Sequence, residues 1–354
     1  MSGLWNNEAY QSELKEVNIP ETIWEKLYGK TILVTGATGM VCSFLVDVII
    51  KRNSVLSEEN KIKLICLVRN LKAARERFFL QLELDNLILE EADIGESLER
   101  IKKYNFDYII AGAGNADPAS FSNYPVDTMK SNFLGAYHLL ELAREQENCR
   151  FLYISTGEVY GNAETDIDFF SEEDSYYVNP TDFRSCYPNS KRAAETLCVS
   201  YMKQYGIDAV IGRLCYIYGP TIKDSDSRSV AQFLRYAANG ENIVLKSTGE
   251  QVRSYCYVAD VAAALLYLLV LGKSGEAYNV ADIKSNCSIA EFAGLIAKLA
   301  NVQCVYLKAS EREKEGYSRV MRAIQSPAKI CDLGWKAKTE LLSGIKRTLE
   351  ILGR

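Results

Sequence analysis

The sequence predicts an α/β protein: a doubly wound parallel sheet with a smaller carboxy-terminal unit beside it. Three observations predict it. Strand-like runs alternate with helical patterns from residue 30 onward. Those strands are near-continuously apolar, as strands covered by helices on both faces must be. The first of them, KTILVTG, runs straight into a glycine-bearing turn and then a helix.

Taken in order, residues 1–28 carry an amphipathic helical pattern but no motif, and are expected to pad a surface or an oligomer contact. KTILVTG is followed by a helix from about 40 to 52 and then by KIKLICLV. Residues 71–90 are rich in helix formers and are expected to form one long helix. DYIIAGA, RFLYIST and DAVIGRL supply further strands. After about residue 216 the rhythm loosens, with helices expected near 229–239, 259–272 and 288–300 and short strands around 243–247 and in VRSYCYV. The expected division is an extension over 1–28, a mainly cofactor-binding unit over 29–215 and a mainly substrate-binding unit over 216–354 that interleaves with the sheet.

Composition narrows the function. Of 354 residues 48% are apolar and 25% charged, with a net charge of −5 and no Lys/Arg-rich block, so neither nucleic acid nor an anionic membrane is an expected partner. The start, MSGLWNNEAYQSELKEV, lacks the pattern of a signal peptide, and VAAALLYLLVLG is too short to span a bilayer, which predicts a cytoplasmic protein. Ten cysteines without a C-x-x-C pair read as reduced thiols. The single histidine, His138, excludes two-histidine zinc sites and Ser-His-Asp hydrolysis, and on its expected helix it reads as structural. No metal is expected.

In ILVTGATGMVCS, Gly36 and Gly39 stand between the first strand and the next helix, where backbone N–H groups and the positive helix end hold a pyrophosphate. A bare G-x-x-G recurs by chance; its place directly after an apolar strand makes it a dinucleotide loop, with Gly36, Thr38, Gly39, Met40 and Val41 against the cofactor. Cys42 occupies the third small position and is expected to displace the helix slightly. The second strand ends in LVRN, and Arg69 there pairs with a 2′-phosphate more readily than with a ribose hydroxyl, which favours NADP over NAD; a solvated surface arginine is the equal alternative. Asp93 and Ile94 in EADI are candidates for the adenine, and Ala111 and Ala113 in AGAGNA bring small residues against the cofactor.

Tyr187 and Lys191 in CYPNSKRAAETL lie four residues apart on a helical segment, hence on one face. A tyrosine of pKa about 10 is a poor base, but an ammonium beside it favours the phenolate, which can take a hydroxyl proton as hydride leaves the same carbon.

TGATGMV, PVDTMKSNFLGAYHLLELA, STGEVYG, YPNSK, RLCYIYGP, GEQVRSYCYVADV, GEAYNVAD and DLGW occur in that order. In them the chain resembles an extended short-chain dehydrogenase/reductase of the NAD-dependent epimerase/dehydratase family, over roughly residues 29–350. Within it, the nearest resemblance is to the UDP-glucuronate decarboxylase and dTDP-glucose 4,6-dehydratase group. The resemblance implies a Rossmann domain with a small carboxy-terminal domain for a nucleotide sugar, bound NAD or NADP, and a homodimer paired through helices. It also implies that Thr156, Tyr187 and Lys191 oxidise the sugar 4-hydroxyl and that Asn132 steadies the central helix and a water.

Oxidation at C4 acidifies C5 and weakens the bond to a C6 carboxylate, which gives Glu158 in STGEVYG work at C5 and C6. The 4,6-dehydratases carry an Asp-Glu pair in this segment; here the Asp position is Gly157, which turns the expectation toward decarboxylation of UDP-glucuronate. NPTDFRSCY and DSRSVAQFL are similar to decarboxylase segments as well. Arg253 corresponds to a family arginine at the diphosphate and near the sugar ring, and Arg228 is a second diphosphate candidate. Tyr216 stands where the family commonly has asparagine, which alters the expected substrate contacts. A 4,6-dehydratase, a 4-epimerase and a non-catalytic sensor of sugar nucleotide or NADP are the alternatives.

Overall fold

The apolar runs of the sequence form the middle of one parallel sheet. Its strands are β1 (Thr31–Thr35), β2 (Lys63–Val68), β3 (Leu87–Glu91), β4 (Tyr108–Ala111), β5 (Arg150–Thr156), β6 (Asp208–Leu214) and β10 (Ala277–Val280), in the order β10-β6-β5-β4-β1-β2-β3. Every neighbouring pair is parallel. The computed structural model describes residues 3–84, 86–163, 167–310, 317 and 320–353. The strand order reverses between β1 and β4. Successive crossovers therefore run in opposite directions and leave a crevice at the carboxyl ends of those two strands.

The helices follow the 3.6-residue pattern. They are α1 (Glu8–Glu16), α2 (Glu21–Trp24), α3 (Met40–Asn53), α4 (Leu71–Arg77), α5 (Pro118–Asn123), α6 (Pro125–Met129), α7 (Gly135–Arg144) and α8 (Cys186–Tyr205). Between α6 and α7 one turn, Lys130–Leu134, is a π-helix. After β6 the chain leaves the sheet and builds the second unit. Its first elements are β7 (Tyr216–Tyr218), α9 (Ser229–Ala238), β8 (Ile243–Leu245), β9 (Val252–Tyr257) and α10 (Val258–Leu271). After β10 follow β11 (Asn286–Ser288), α11 (Ile289–Ala300), β12 (Cys304–Tyr306) and β13 (Arg322–Ala323). β9 pairs with β7, β11 and β13, and β8 with β12.

Residues 71–90 are not one helix. α4 stops at Arg77, a short 3-10 turn spans Gln81–Glu83, and Leu87–Glu91 forms β3 at the sheet edge. Edge position explains the misreading: β3 is buried only at Leu87, so LILEE carries too few covered positions to read as a strand.

Residues 1–28 do more than pad a surface. α3 lies between the sheet and α1, and it is buried on nearly every face, Asp47 included. The Tyr10 hydroxyl donates to Asp47 at 2.6 Å, Gln81 Nε2 donates at 3.0 Å and Arg77 pairs with the same carboxylate. A buried carboxylate left without partners costs several kcal/mol, so these three groups fix where α1 and α4 dock. Trp24 and Leu27 join the same core. A second core fills the opposite face of the sheet, under α7 and α8. All ten cysteines are unpaired thiols, and among the described residues no helix is long and apolar enough to cross a membrane.

Candidate active site

The crevice at β1 and β4 is lined by backbone. Gly36 adopts φ +68°, and a β-carbon there would stand 2.7 Å from Gly112 O and 2.8 Å from Ala113 Cα. Only glycine allows the two loops to approach so closely. Thr35 Oγ1 ties them together by accepting from the N–H groups of Gly112 and Ala113, each at 3.1 Å. Gly39 is the N-cap of α3, so the loop Gly36–Met40 delivers the helix's N–H groups and positive end to the crevice. Cys42 fits because its Sγ fills the space over Gly112, where a β-carbon would meet it at 2.3 Å. Burial pushes that thiol up to about 12, which leaves it unreactive.

Of the other residues assigned to the cofactor, Ala111 ends β4 beside the loop and Ala113 touches it. Ile94 is buried against Gly135, and its carbonyl oxygen lies 2.8 Å from His138 Nδ1, which gives His138 its structural role. Asp93 Oδ1 accepts from Gly95 N at 2.8 Å, so this carboxylate shapes its own turn. Arg69 is exposed, one residue beyond β2.

The groups expected to react meet where β5 ends. Thr156 closes that strand and accepts from Glu158 N at 3.3 Å, which starts a 3-10 turn over Gly157–Tyr160 and turns Glu158 toward α8. Tyr187 and Lys191 lie one turn apart near the start of α8, each 6% exposed. Burial, and then the Glu158 charge, raise the Tyr187 phenol above its ordinary value; the Thr156 hydroxyl bond, Arg228 and Arg184 pull it down. Lys191 Nζ donates to Ile154 O at 2.8 Å and lies 4.6 Å from the Tyr153 ring centre. Burial pushes this ammonium down to about 8, with Glu195 opposing the shift. Sequence reasoning expected the Lys191 ammonium, helped by an oxidised nicotinamide, to favour the Tyr187 phenolate. In the structure the groups that lower the Tyr187 pKa are Thr156, Arg228 and Arg184.

Asn132 sits in the π-turn, 1% exposed, and its side-chain oxygen and nitrogen have no partner among the described residues. A β-carbon on Gly114 would stand 2.3 Å from Asn132 Oδ1 and 3.7 Å from Lys191 Nζ, so the exit of β4 closes tightly over both. Buried amides pair almost without exception, and this one faces the same crevice as the loop glycines. The bare loop backbone, the helix end and the orphaned amide together fit a dinucleotide.

Glu158 is not a lone carboxylate. Arg184 holds it by two bonds of 3.0 Å, Nη2 to Oε1 and Nη1 to Oε2. The Arg184 guanidinium lies 4.6 Å from the Phe121 ring centre, and Phe121 stacks on Tyr187 at 4.5 Å with 18° between planes. Neither Arg184 nor Phe121 was singled out from sequence, although Arg184 stands three residues before Tyr187 in NPTDFRSCY. Gln325 is a further omission. A β-carbon on Gly157 would meet its Oε1 at 2.5 Å, while its Nε2 donates to Asn279 Oδ1 at 2.8 Å and Arg213 O at 3.1 Å. Gln325 therefore takes the space that a side chain at position 157 would fill.

Around the rim, Arg228 Nε donates to Asp226 at 2.9 Å and its charge reaches Tyr187. Tyr216 lies under the Arg253 guanidinium, 5.3 Å from ring centre to carbon. Arg253 is 1% exposed and donates to the carbonyls of Val252, Val320 and Met321 at 2.9, 2.8 and 3.3 Å. Its terminal nitrogens hold the chain before β13, and its Nε has no partner among the described residues.

Comparison with known proteins agrees with this arrangement. The NAD dependent epimerase/dehydratase family matches residues 32–281. The chain is 31% identical to UDP-glucuronic acid decarboxylase 1 of Xenopus tropicalis over 321 residues, covering 90% of this chain and 71% of that protein. It is 30% identical to UDP-glucuronic acid decarboxylase 3 of Arabidopsis thaliana, covering 89% and 86%. Among solved structures, dTDP-glucose 4,6-dehydratase of Bacillus anthracis in complex with NAD superposes with a TM-score of 0.76 at 21% identity, covering 91% and 96%.

Proposed function

Since this chain belongs to the NAD dependent epimerase/dehydratase family, we propose that it oxidises a nucleotide sugar transiently at C4 and decarboxylates UDP-glucuronate to a UDP-pentose. The observation that carries this reading is the Glu158–Arg184 pair beside Tyr187. Arg184 balances the Glu158 charge, so the carboxylate that a uronate brings meets a neutral pair there instead of a lone anion. Dehydration needs an acid for the departing C6 oxygen, and the segment supplies none at Gly157, whose side-chain space Gln325 fills.

Gly36, Thr38, Gly39, Met40 and Val41 hold the dinucleotide's pyrophosphate, Arg69 its adenosine ribose, and Asp93, Ile94, Ala111 and Ala113 line its path. The dinucleotide, when bound, would supply an acceptor for the C4 hydride that returns it to C4 after carbon dioxide has left. Tyr187 takes the 4-hydroxyl proton at its phenol oxygen while Thr156 bonds the same oxygen. Lys191, fixed by the Ile154 carbonyl, sets the charge beneath. Glu158, its charge balanced by Arg184, stands at C5 and C6 of the sugar. Arg228 meets the diphosphate, and Arg253 holds Tyr216 at the sugar's edge.

The unit over 29–215 binds mainly the cofactor and that over 216–354 mainly the sugar nucleotide. Exposed Val126, Met129, Phe133 and Tyr137, spaced three or four residues apart, and Val199 and Tyr205 on adjacent α8 support a homodimer through these helices. Unpaired thiols suit the cytoplasm. Incubating the protein with UDP-, dTDP-, CDP- and GDP-sugars and weighing the products tests the reading. Loss of carbon dioxide from UDP-glucuronate supports it; loss of water from a hexose nucleotide makes the chain a dehydratase, and an unchanged mass with inverted C4 an epimerase.

A further inference from the structure

β1 and β2 are parallel neighbours with Thr35 opposite Leu67, so the loop after β1 and the residues after β2 emerge at one edge of the sheet. Where a dinucleotide crosses that edge, a carboxylate after β2 accepts from the ribose 2′-hydroxyl of NAD. Here the chain reads Arg69–Asn70, and the Asn70 side-chain oxygen is taken by Ala73 N at 2.9 Å as the cap of α4. The nearby Glu91 carboxylate accepts from Leu71 N at 3.0 Å.

A second cation arrives from the other unit. Thr221, fully buried, donates to Met40 O at 2.8 Å and docks the loop after β7 on the start of α3. Arg235 donates to Lys223 O at 2.7 Å and to Asp226 O at 2.8 Å, fixing the backbone that carries Lys223. From there Lys223 Nζ reaches Thr38 Oγ1 at 3.3 Å. Burial and the Arg69 charge both push the Lys223 ammonium down, with Asp226 opposing, and Asp226 is itself paired with Arg228. Two cations that feel each other beside a positive helix end are an unfavourable arrangement, and an anion between them relieves it. The pyrophosphate common to NAD and NADP occupies the loop N–H groups, so the additional charge calls for an additional phosphate.

We propose that Lys223 and Arg69 form a receptor for the 2′-phosphate on the adenosine ribose of NADP, so that the chain binds NADP in preference to NAD. The inference rests on the dinucleotide reading given above. The Lys223 ammonium has three donors, of which Thr38 uses one, and the phosphate offers three acceptor oxygens.

Calorimetric titration of the full chain with NADP+ and NAD+ tests it. The wild type is expected to bind NADP+ about tenfold or more tightly than NAD+, as charge-assisted bonds to a dianion imply. Lys223→Met should lose about tenfold or more of NADP+ affinity with NAD+ affinity changed less than about twofold, which also shows that the variant is folded, and Lys223→Arg should recover most of the loss. Equal or tighter binding of NAD+ by the wild type overturns the inference. So does an equal loss for both dinucleotides in Lys223→Met, which would place Lys223 on the shared pyrophosphate. If neither dinucleotide binds, the dinucleotide reading itself fails, an outcome distinct from either of these.

Discussion

Replacing Arg184 by methionine removes both 3.0 Å bonds to Glu158 and the cation over Phe121 while leaving an unbranched side chain of similar reach. Bonds to charged groups are each worth about 1.5–3 kcal/mol net. The side chains here are 14% and 27% exposed, so the carboxylate regains some hydration, and the expected loss of stability is about 1–2 kcal/mol. With an unfolding entropy of about 2.1 cal/mol/K per residue over 354 residues, that lowers Tm by about 2 °C. The effect on turnover should be far larger. Arg184 pulls the Tyr187 phenol down and Glu158 pushes it up, so the variant leaves Thr156 and Arg228 alone to oppose burial and the Glu158 charge. It also leaves the Glu158 charge bare beside the substrate carboxylate, and kcat on UDP-glucuronate should fall about 10²–10³-fold. Arg184→Lys, which keeps the charge without the fork, should fall between. Steady-state kinetics and thermal unfolding of the three proteins decide the matter. A methionine variant whose Tm drops as expected while kcat stays within about twofold would reduce Arg184 to a structural residue and refute the reasoning.

Gly36→Ala places a β-carbon 2.7 Å from Gly112 O at φ +68°, and dinucleotide binding should be lost in calorimetric titration while the far-UV circular dichroism stays that of a folded chain. Lys191 titrates near 8, so kcat/KM should decline as pH rises through about 8 and the ammonium is lost; Glu195 holds that value up, and Glu195→Gln should move the alkaline limb to lower pH. Because the folded chain disfavours the Lys191 ammonium, this residue makes stability rise with pH between about 8 and the ordinary lysine value of about 10.4, where the unfolded chain alone still binds the proton; denaturant titrations across that range check the sign. Phe133→Asp puts a charge on the exposed face of the π-turn and should convert the proposed homodimer to monomer in sedimentation analysis, with a persistent dimer locating the interface elsewhere.

Much of this was legible before the structure. β1, β4, β5 and β6 are apolar because both faces are covered, and the glycine turn marks its own place after β1. The Tyr187–Lys191 spacing needs only the helical period. What escaped was set by tertiary approach. β3 is an edge strand with helix-forming residues, so local propensity and final state disagree. Asp47 inside an apolar helix was the sign that something must cover it, but only the fold shows that Tyr10 and Arg77 do. Arg184, Phe121, Gln325 and Lys223 reach the site from four separate segments. Their roles follow from distances that no spacing in the chain encodes, although Arg184 lay within a segment similar to one in decarboxylases. Arg253 was legible as a motif residue, while its burial and the bonds of its terminal nitrogens to carbonyls were not.

The most direct test follows one atom. UDP-glucuronate carrying carbon-13 at C6 is given to the wild-type protein and to Tyr187→Phe, and the released gas and the remaining nucleotide sugar are both assayed for the label. The account predicts labelled carbon dioxide and an unlabelled UDP-pentose from the wild type, and none from the variant. Label retained in the nucleotide sugar by the wild type, or release by Tyr187→Phe at the wild-type rate, would contradict it.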